Sequence, residues 1–330
     1  MDLTELPTPA LIVDGALLQS NIDTMAAALP GARLRPHVKA HKCTSLARRQ
    51  YDAGHHSFTC ATVREVEGMA RAGLGEDLLL ANECLDLSRL TAVIDDGARV
   101  TVAVDSAETI AAAASAGIRE VVIDVNVGLP RCGCAPEDAG RLAELARAAG
   151  LSVRGVMGYE GHLMMVTPPE RKAELTRRAK ELLLRAHELA GGDLVTSGGT
   201  GTFRSNTWAH EIQAGSYALM DAQYGELGFP FAQAIWVLGT VISTSADHAV
   251  ADVGLKALGM DHGNPQVVAG EVMFVSDEHL SFRPTRPVRV GDRVRVTPAH
   301  VDPTIAMHER IHVFAGDEVI DVWPVDLRGW

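Results

Sequence analysis

The chain has 330 residues, 47% hydrophobic and 22% charged, with a formal net charge of −12. That length supports one large domain with its own core, or a barrel with a smaller module. The acidic balance makes nucleic acid and anionic membrane surfaces poor partners, and no apolar run reaches the ~18–20 residues of a membrane span.

The opening stretch "MDLTELPTPALIVDG" has no basic segment followed by an apolar core, which predicts no signal peptide and a cytoplasmic protein. In "LRPHVKAHK", Arg35, His37, Lys39 and His41 alternate with Pro36, Val38 and Ala40. A strand there would turn all four ionisable groups to one face. Further strands are predicted at "SFTCAT", "DLLLAN", "RVTVAV", "EVVIDVNV", "SVRGVMGY", "DLVTSGG" and "EIQAGSYALM". Between them lie helical patterns such as "TVREVEGMARAG", "NECLDLSRLTAVIDDG", "SAETIAAAASAG" and "PEDAGRLAELARAAG", several ending at Gly. Eight strands with intervening helices predict an α/β fold, a (β/α)8 TIM-type barrel over residues 15–225. A doubly wound open sheet is the competitor.

After about residue 225 the texture changes to strands with tight turns: "AIWVLGTVISTS", "HAVADVG", "QVVAGEVMFVS", "RPVRVGDRVRVTPAH" and "ERIHVFAGDEVIDVWPVD". "VGDRV" and "AGDEV" read as hairpins. Residues 226–330, with about 1–14 added through "PALIVDG", are expected to form a smaller C-terminal all-β domain. The cysteines, Cys43, Cys60, Cys84, Cys132 and Cys134, make no paired C-x-x-C sets. "RCGC" reads either as a vicinal redox pair or as free thiols of a reducing compartment.

Four stretches can carry chemistry. Lys39 lies near the C-terminal end of its strand, where barrels hold their active sites. It is either one half of an ion pair or a Schiff-base lysine. In the second case desolvation and positive neighbours, here Arg35, His37 and His41, free the amine to attack an aldehyde. "TSGGTGTF" exposes backbone N–H groups that can hold a phosphate, or is simply a flexible loop. Arg131, in "DVNVGLPRCG", either donates to a cofactor ring or is an ordinary surface arginine. In "TPAHVDPT", His300 and Asp302 on an extended segment would point the same way, a start for a divalent metal site.

The segments "TPALIVD", "RPHVKAHK", "ATVREVEGMARAG", "LLANE", "GLPRCG", "GYEGH", "SGGTGTF", "QAGSYALMD", "DVGLKAL" and "AHVDPT" run over nearly the whole chain. With them the chain resembles the pyridoxal-phosphate enzymes of fold type III, which have an alanine-racemase-like barrel. Within these it is similar to the D-threonine aldolase and D-serine dehydratase family. The resemblance implies pyridoxal 5'-phosphate as cofactor, with Lys39 as the Schiff-base lysine and Arg131 against the ring. It puts Tyr159 beside the pyridoxal, and Ser197, Gly199, Thr200 and Gly201 around the phosphate with Tyr217 nearby. It implies a divalent metal on His300 and Asp302. The dehydratases have Cys as the second ligand and the aldolases Asp. Asp302 suits Mn²⁺ or Mg²⁺, with Zn²⁺ as an alternative, and points to the aldolase branch. Where the aldolases carry Gln-His after the Y-x-G element, this chain has Met164 and Met165. His162 then stands as the acid/base candidate, or as a residue packed in the barrel.

The activity implied is cleavage of a D-3-hydroxy amino acid, D-threonine-like, to glycine and an aldehyde by a homodimer. A D-serine- or D-threonine-type dehydratase giving a 2-oxo acid, an amino-acid racemase and a non-catalytic cofactor-binding protein are the alternatives.

Overall fold

The β-branched runs become strands and the alanine- and leucine-rich runs become helices in the computed structural model, which describes residues 1–268 and 270–330. The chain divides into two units. One comprises Ala26–Lys39, Ala47–Gly215 and Leu327–Trp330; the other comprises Met1–Met25, Ala40–Leu46 and Ser216–Asp326. The strands are β1 (Ala10–Asp14), β2 (Ser57–Cys60), β3 (Asp77–Leu80), β4 (Val100–Val104), β5 (Glu120–Asp124), β6 (Ser152–Gly158), β7 (Leu194–Ser197) and β8 (Glu211–Ile212). They continue as β9 (Ile235–Thr244), β10 (Ala249–Ala251), β11 (Gln266–Val267), β12 (Gly270–Val275), β13 (Leu280–Pro284), β14 (Arg293–Thr297), β15 (Arg310–Ala315) and β16 (Glu318–Pro324). Among the described residues no helix is long and apolar enough to cross a membrane.

In the first unit β2 to β8 pair in chain order as a parallel sheet of seven strands. The predicted first strand, "LRPHVKA", departs from expectation. Leu34 bridges Ile212 on one side and His37 bridges Thr59 on the other, both parallel, so residues 34–37 close the barrel between β8 and β2. Pro36 has no N–H to add to a ladder, and its carbonyl accepts from Thr59 N at 2.9 Å. The segment is therefore held by isolated bridges, and Val38–Ala40 turns at once into a 3-10 helix. "EIQAGSYALM" is likewise a strand only at Glu211–Ile212.

Two helices of this unit begin at side-chain caps. Thr62 accepts from Glu65 N before Val63–Arg71, and Ser106 from Thr109 N before Ala107–Ser115. Their apolar stripes (Val66 and Met69, Ile110 and Ala113) pack with Leu142 and Ala146 of helix Ala139–Ala148 and with outward strand residues such as Phe58, Leu80 and Val102. Each buried Val, Leu, Ile, Phe or Met among them is worth about 1.5–3 kcal/mol.

Arg35 of the charged segment points into the barrel interior. Arg35 is 1% exposed, with Nε 2.6 Å from Glu211 Oε1 and Nη2 2.9 Å from Asp77 Oδ2. Arg154 Nη1 adds contacts of 2.7 Å to Asp77 Oδ1 and to Thr101 Oγ1. Asp77 and Glu211 are the first residues of β3 and β8. This network fills the N-terminal end of the barrel, and Arg35 is neutralised there instead of acting on Lys39. Above it lies a small apolar layer of Leu79, Ala103, Val122 and Met157.

The second unit is a sheet in the order β10-β13-β12-β11-β14-β9-β1-β15-β16, with a further β9–β10 pairing that closes six of its strands into a barrel. All neighbours are antiparallel except β1 and β15. "AGDEV" is the turn of the β15–β16 hairpin, with Gly316 at φ 64°. "VGDRV" is not a hairpin: β14 pairs with β9 and β11, and the residues before Gly291 are irregular. Asp252 is a structural staple that accepts from Thr8 Oγ1 and Thr240 N, both at 2.6 Å.

Candidate active site

Tyr159 follows the end of β6 and gathers the C-terminal side of the parallel barrel. Lys39 Nζ lies 5.9 Å from its ring centroid and Arg131 Cζ 5.4 Å, distances at which an aromatic face attracts a cation. Lys39 arrives from the 3-10 turn after the closing segment. Arg131 arrives from the loop after β5, a loop stapled by Cys134 N donating to Asp124 O at 3.0 Å and Gly128 N to Asn126 Oδ1 at 2.9 Å. His162, in the 3-10 turn Gly161–Leu163 after β6, is exposed, and its ring lies against Gly128 of the loop after β5. A Cβ at Gly128 would stand 3.1 Å from His162 Cε1 and Nε2.

The glycine-rich loop after β7 runs beside Tyr159. A Cβ at Gly199 would stand 3.2 Å from Tyr159 Cε2 and 3.3 Å from Met164 Sδ. One at Gly201 would stand 2.8 Å from Met164 Sδ and 2.9 Å from the Met164 carbonyl. A Cβ at Gly201 would thus clash with Met164 backbone and sulfur, whereas one at Gly199 would ask Tyr159 and Met164 side-chain atoms to give by a few tenths of an ångström. Glu160, 1% exposed, holds the loop down. Its carboxylate accepts from Ser197 Oγ at 3.2 Å, Thr202 Oγ1 at 2.6 Å and Asn206 Nδ2. The Ser197 hydroxyl proton is therefore directed at Glu160. An amine, a guanidinium and a ring beside a glycine-rich loop make a donor set that fits a phosphorylated aromatic aldehyde.

Behind Arg131 sits a proton-holding pair. Asp124, 5% exposed at the end of β5, is hydrogen-bonded to Glu83. Burial first, then the charge of Glu83, raises its carboxyl well above the usual range. The Cys132 thiol is pushed up to about 12 by its hydrogen bond to Glu83 and by burial. Cys134 is pushed up to about 12 by burial and by Asp124. Both cysteines are free and are held as thiols.

In the second unit, His300 is not on a continuous extended segment. It is the N-cap of helix Val301–Met307, with Asp302 in the first turn. His300 Nε2 lies 3.7 Å from Asp302 Oδ2, and Nδ1 lies 2.7 Å from Asp261 Oδ2. The His262 ring stacks on His300 with centroids 3.8 Å apart and planes 10° apart. Asp221, 1% exposed, accepts from Val301 N at 3.1 Å and Tyr224 N at 2.9 Å. Burial pushes its carboxyl up to about 6 against these bonds. Two ligand atoms about 2.0–2.2 Å from one ion can stand up to about 4 Å apart, so the Nε2 and Oδ2 pair fits a divalent metal. Tyr217 also belongs to this unit, buried against Phe231 with ring centroids 5.6 Å apart.

Lys39, Arg131, Tyr159 and Gly199 are thus brought together around one ring, with Gly201 against Met164 beside it. His300 and Asp302 are brought together in the other unit. Sequence reasoning did not assign Glu160, Asn206, Asp221, Asp261 or His262. Only "DHG", a carboxylate beside an imidazole, was a signal for the last two.

The alanine racemase N-terminal domain family matches residues 13–222, and a serine dehydratase domain matches residues 234–314. The chain is 35% identical to the 3-hydroxy-D-aspartate aldolase of Paracoccus denitrificans (strain Pd 1222), across 100% of this chain and 94% of that protein. It is 32% identical to the D-threonine aldolase of an Arthrobacter species, across 99% of this chain and 94% of the relative. The solved D-threonine aldolase of Filomicrobium marinum superposes with a TM-score of 0.93 at 32% identity, covering 99% of this chain and 97% of that one.

Proposed function

Given that the chain belongs to the fold type III, pyridoxal-phosphate-dependent family of the D-threonine aldolases and D-serine dehydratases, we propose that it is a metal-assisted lyase. Its substrates are D-3-hydroxy amino acids, which it cleaves to glycine and an aldehyde. The observation that carries this reading is the Tyr159 ring faced by Lys39 and Arg131 and backed by the Gly199 loop.

When bound, pyridoxal phosphate supplies a carbonyl for amines and a ring that takes up the electron pair of a bond broken at Cα. Lys39 Nζ, beside the Tyr159 ring, is the amine that would hold that carbonyl. Arg131 would face the ring, Tyr159 would shield it from water, and the loop at Ser197, Gly199, Thr200 and Gly201 would hold the phosphate. His300 Nε2 and Asp302 Oδ2 would hold a divalent ion, Mn²⁺ or Mg²⁺, and the chemistry it would supply is Lewis acidity toward a hydroxyl. His162 takes the hydroxyl proton. The 3-hydroxyl loses a proton, the Cα–Cβ bond breaks and Cα gains a proton, so the balance closes on glycine and an aldehyde. The working form is a homodimer.

The test is product analysis of the cofactor- and Mn²⁺-loaded protein with D-threonine and with D-3-hydroxyaspartate. Glycine with acetaldehyde or glyoxylate supports the proposal. A 2-oxo acid with ammonia replaces it with the dehydratase reading, and inversion at Cα with the racemase. Loss of the bound cofactor's visible absorbance in Lys39→Ala tests the role of the amine separately.

A further inference from the structure

The metal-facing cluster contains more donors than His300 and Asp302. Asp261, His262 and His300 offer ligand atoms within 4.8 Å of one another, which on distance alone is a three-ligand site. The ring geometry argues otherwise. An ion sits near the plane of an imidazole that binds it through a nitrogen lone pair. His262 and His300 are stacked at 3.8 Å with planes only 10° apart. An ion in the plane of one ring is therefore well outside the plane of the other, and the two cannot share it.

The hydrogen bonds make the same choice. Asp261 Oδ2 is 2.7 Å from Nδ1, a bond that requires the proton on Nδ1. Nε2 is then left with its lone pair, and it is Nε2 that stands 3.7 Å from Asp302 Oδ2. The backbone keeps this register. Gly259 pairs with His300 in an antiparallel bridge. Gly259 N donates to Thr304 Oγ1 at 2.9 Å, and Thr304 Oγ1 donates to His300 O at 2.7 Å. The segment carrying Asp261 and the turn carrying His300 are thereby tied two residues from the contact.

Resting on the reading of His300 and Asp302 as the metal ligands, we infer that Asp261 is the positioning residue of that centre. It holds the Nδ1 proton of His300 and so presents Nε2 to the ion, while His262 packs on the ring and binds no metal. Carboxylate partners of this kind raise ligand basicity and are worth about 10–100-fold in metal affinity.

The experiment measures Mn²⁺ affinity of the cofactor-loaded, metal-depleted protein by the electron paramagnetic resonance of free Mn²⁺. Asp261→Ala is expected to weaken binding at least about tenfold. Asp261→Asn, which still accepts from Nδ1–H but lacks the charge, should fall between it and the parent. His262→Phe should keep its affinity within about threefold, since it preserves the stack. Spectra of protein with ¹⁵N-labelled histidine, with the His300 signal assigned through His300→Ala, add a readout that general loosening does not move. The Nδ1–H tautomer is expected in the parent and Asp261→Asn and lost in Asp261→Ala. Parent-like Mn²⁺ affinity or an unchanged tautomer in Asp261→Ala overturns the inference. So does a loss in His262→Phe as large as that in His300→Ala. If His300→Ala itself binds Mn²⁺ like the parent, it is the underlying metal assignment that fails.

Discussion

Arg35 and Asp77 meet inside the parallel barrel, guanidinium Nη2 to carboxylate Oδ2, at 2.9 Å. Burial by itself would raise the Asp77 carboxyl, but the hydrogen bonds and charges of Arg154 and Arg35 outweigh it and hold the group well below the usual carboxylate range. Removing one partner strands the others in the interior. Arg35→Met leaves Glu211 without its guanidinium, and a loss of about 3–5 kcal/mol is expected in urea unfolding. The pH dependence has a definite sign. A carboxyl depressed in the folded state stabilises fully above its unfolded value, about 3.9, and the contribution is lost as pH falls toward the folded value. Melting temperature should therefore drop below about pH 4, and drop less in Asp77→Asn.

The glycine loop gives a graded prediction. Gly201→Ala drives a methyl into the Met164 carbonyl and sulfur at 2.9 and 2.8 Å, whereas Gly199→Ala meets Tyr159 and Met164 side-chain atoms at 3.2 and 3.3 Å. Backbone cannot rotate aside as a side chain can. Overpacking of this kind costs about 1–3 kcal/mol, so Gly201→Ala should weaken pyridoxal-phosphate binding about tenfold or more and Gly199→Ala less. Fluorescence titration of the apoprotein checks the order, and an inverted order would contradict the packing account.

Glu160 accepts from Ser197, Thr202 and Asn206 at once. Glu160→Ala removes the carboxylate from three buried donors, leaving Asn206 Nδ2 only Thr202 Oγ1 at 3.2 Å, and each donor left unsatisfied costs about 1–3 kcal/mol unless water enters. Cofactor affinity and melting temperature should fall together. Glu160→Gln, which keeps one acceptor oxygen, should fall less in both. A variant with an unchanged cofactor dissociation constant would show that the loop keeps its shape without this carboxylate.

The barrel was legible in the sequence because its strands are buried on both faces and read as apolar runs, with helices between them that begin at Thr62 and Ser106 and end near Gly. The closing segment was not, because alternation alone cannot tell a strand from a chain that Pro36 keeps out of the ladder. Lys39, Arg131 and Tyr159 were legible as a set through the family motifs. Their convergence on one ring is tertiary. So are the carboxylate contacts: Glu160 reaches Asn206 across 46 residues and Asp261 reaches His300 across 39. Alternation has no access to such pairs, since no local period links them. Arg35 was misread for the same reason, its neutralising partner Glu211 lying 176 residues away.

The thiols beside Arg131 provide the last test. A reactive vicinal pair needs thiolate, yet Glu83 and burial push Cys132 up to about 12 and burial pushes Cys134 to about 12. Against an ordinary thiol with a pKa near 8.5, the thiolate fraction at pH 8 is then lower by about three orders of magnitude. Iodoacetamide labelling of the native protein, read peptide by peptide, should be at least about a hundredfold slower at both positions than for glutathione. Because the hydrogen bond to Glu83 is the largest cause of the Cys132 shift, with burial and then the Glu83 charge behind it, Glu83→Gln should lower that pKa and speed labelling of Cys132 more than that of Cys134. The rate should also rise with pH from a lower starting point than in the parent. Equal acceleration at both cysteines would signal a general opening of the loop instead of the loss of one negative neighbour.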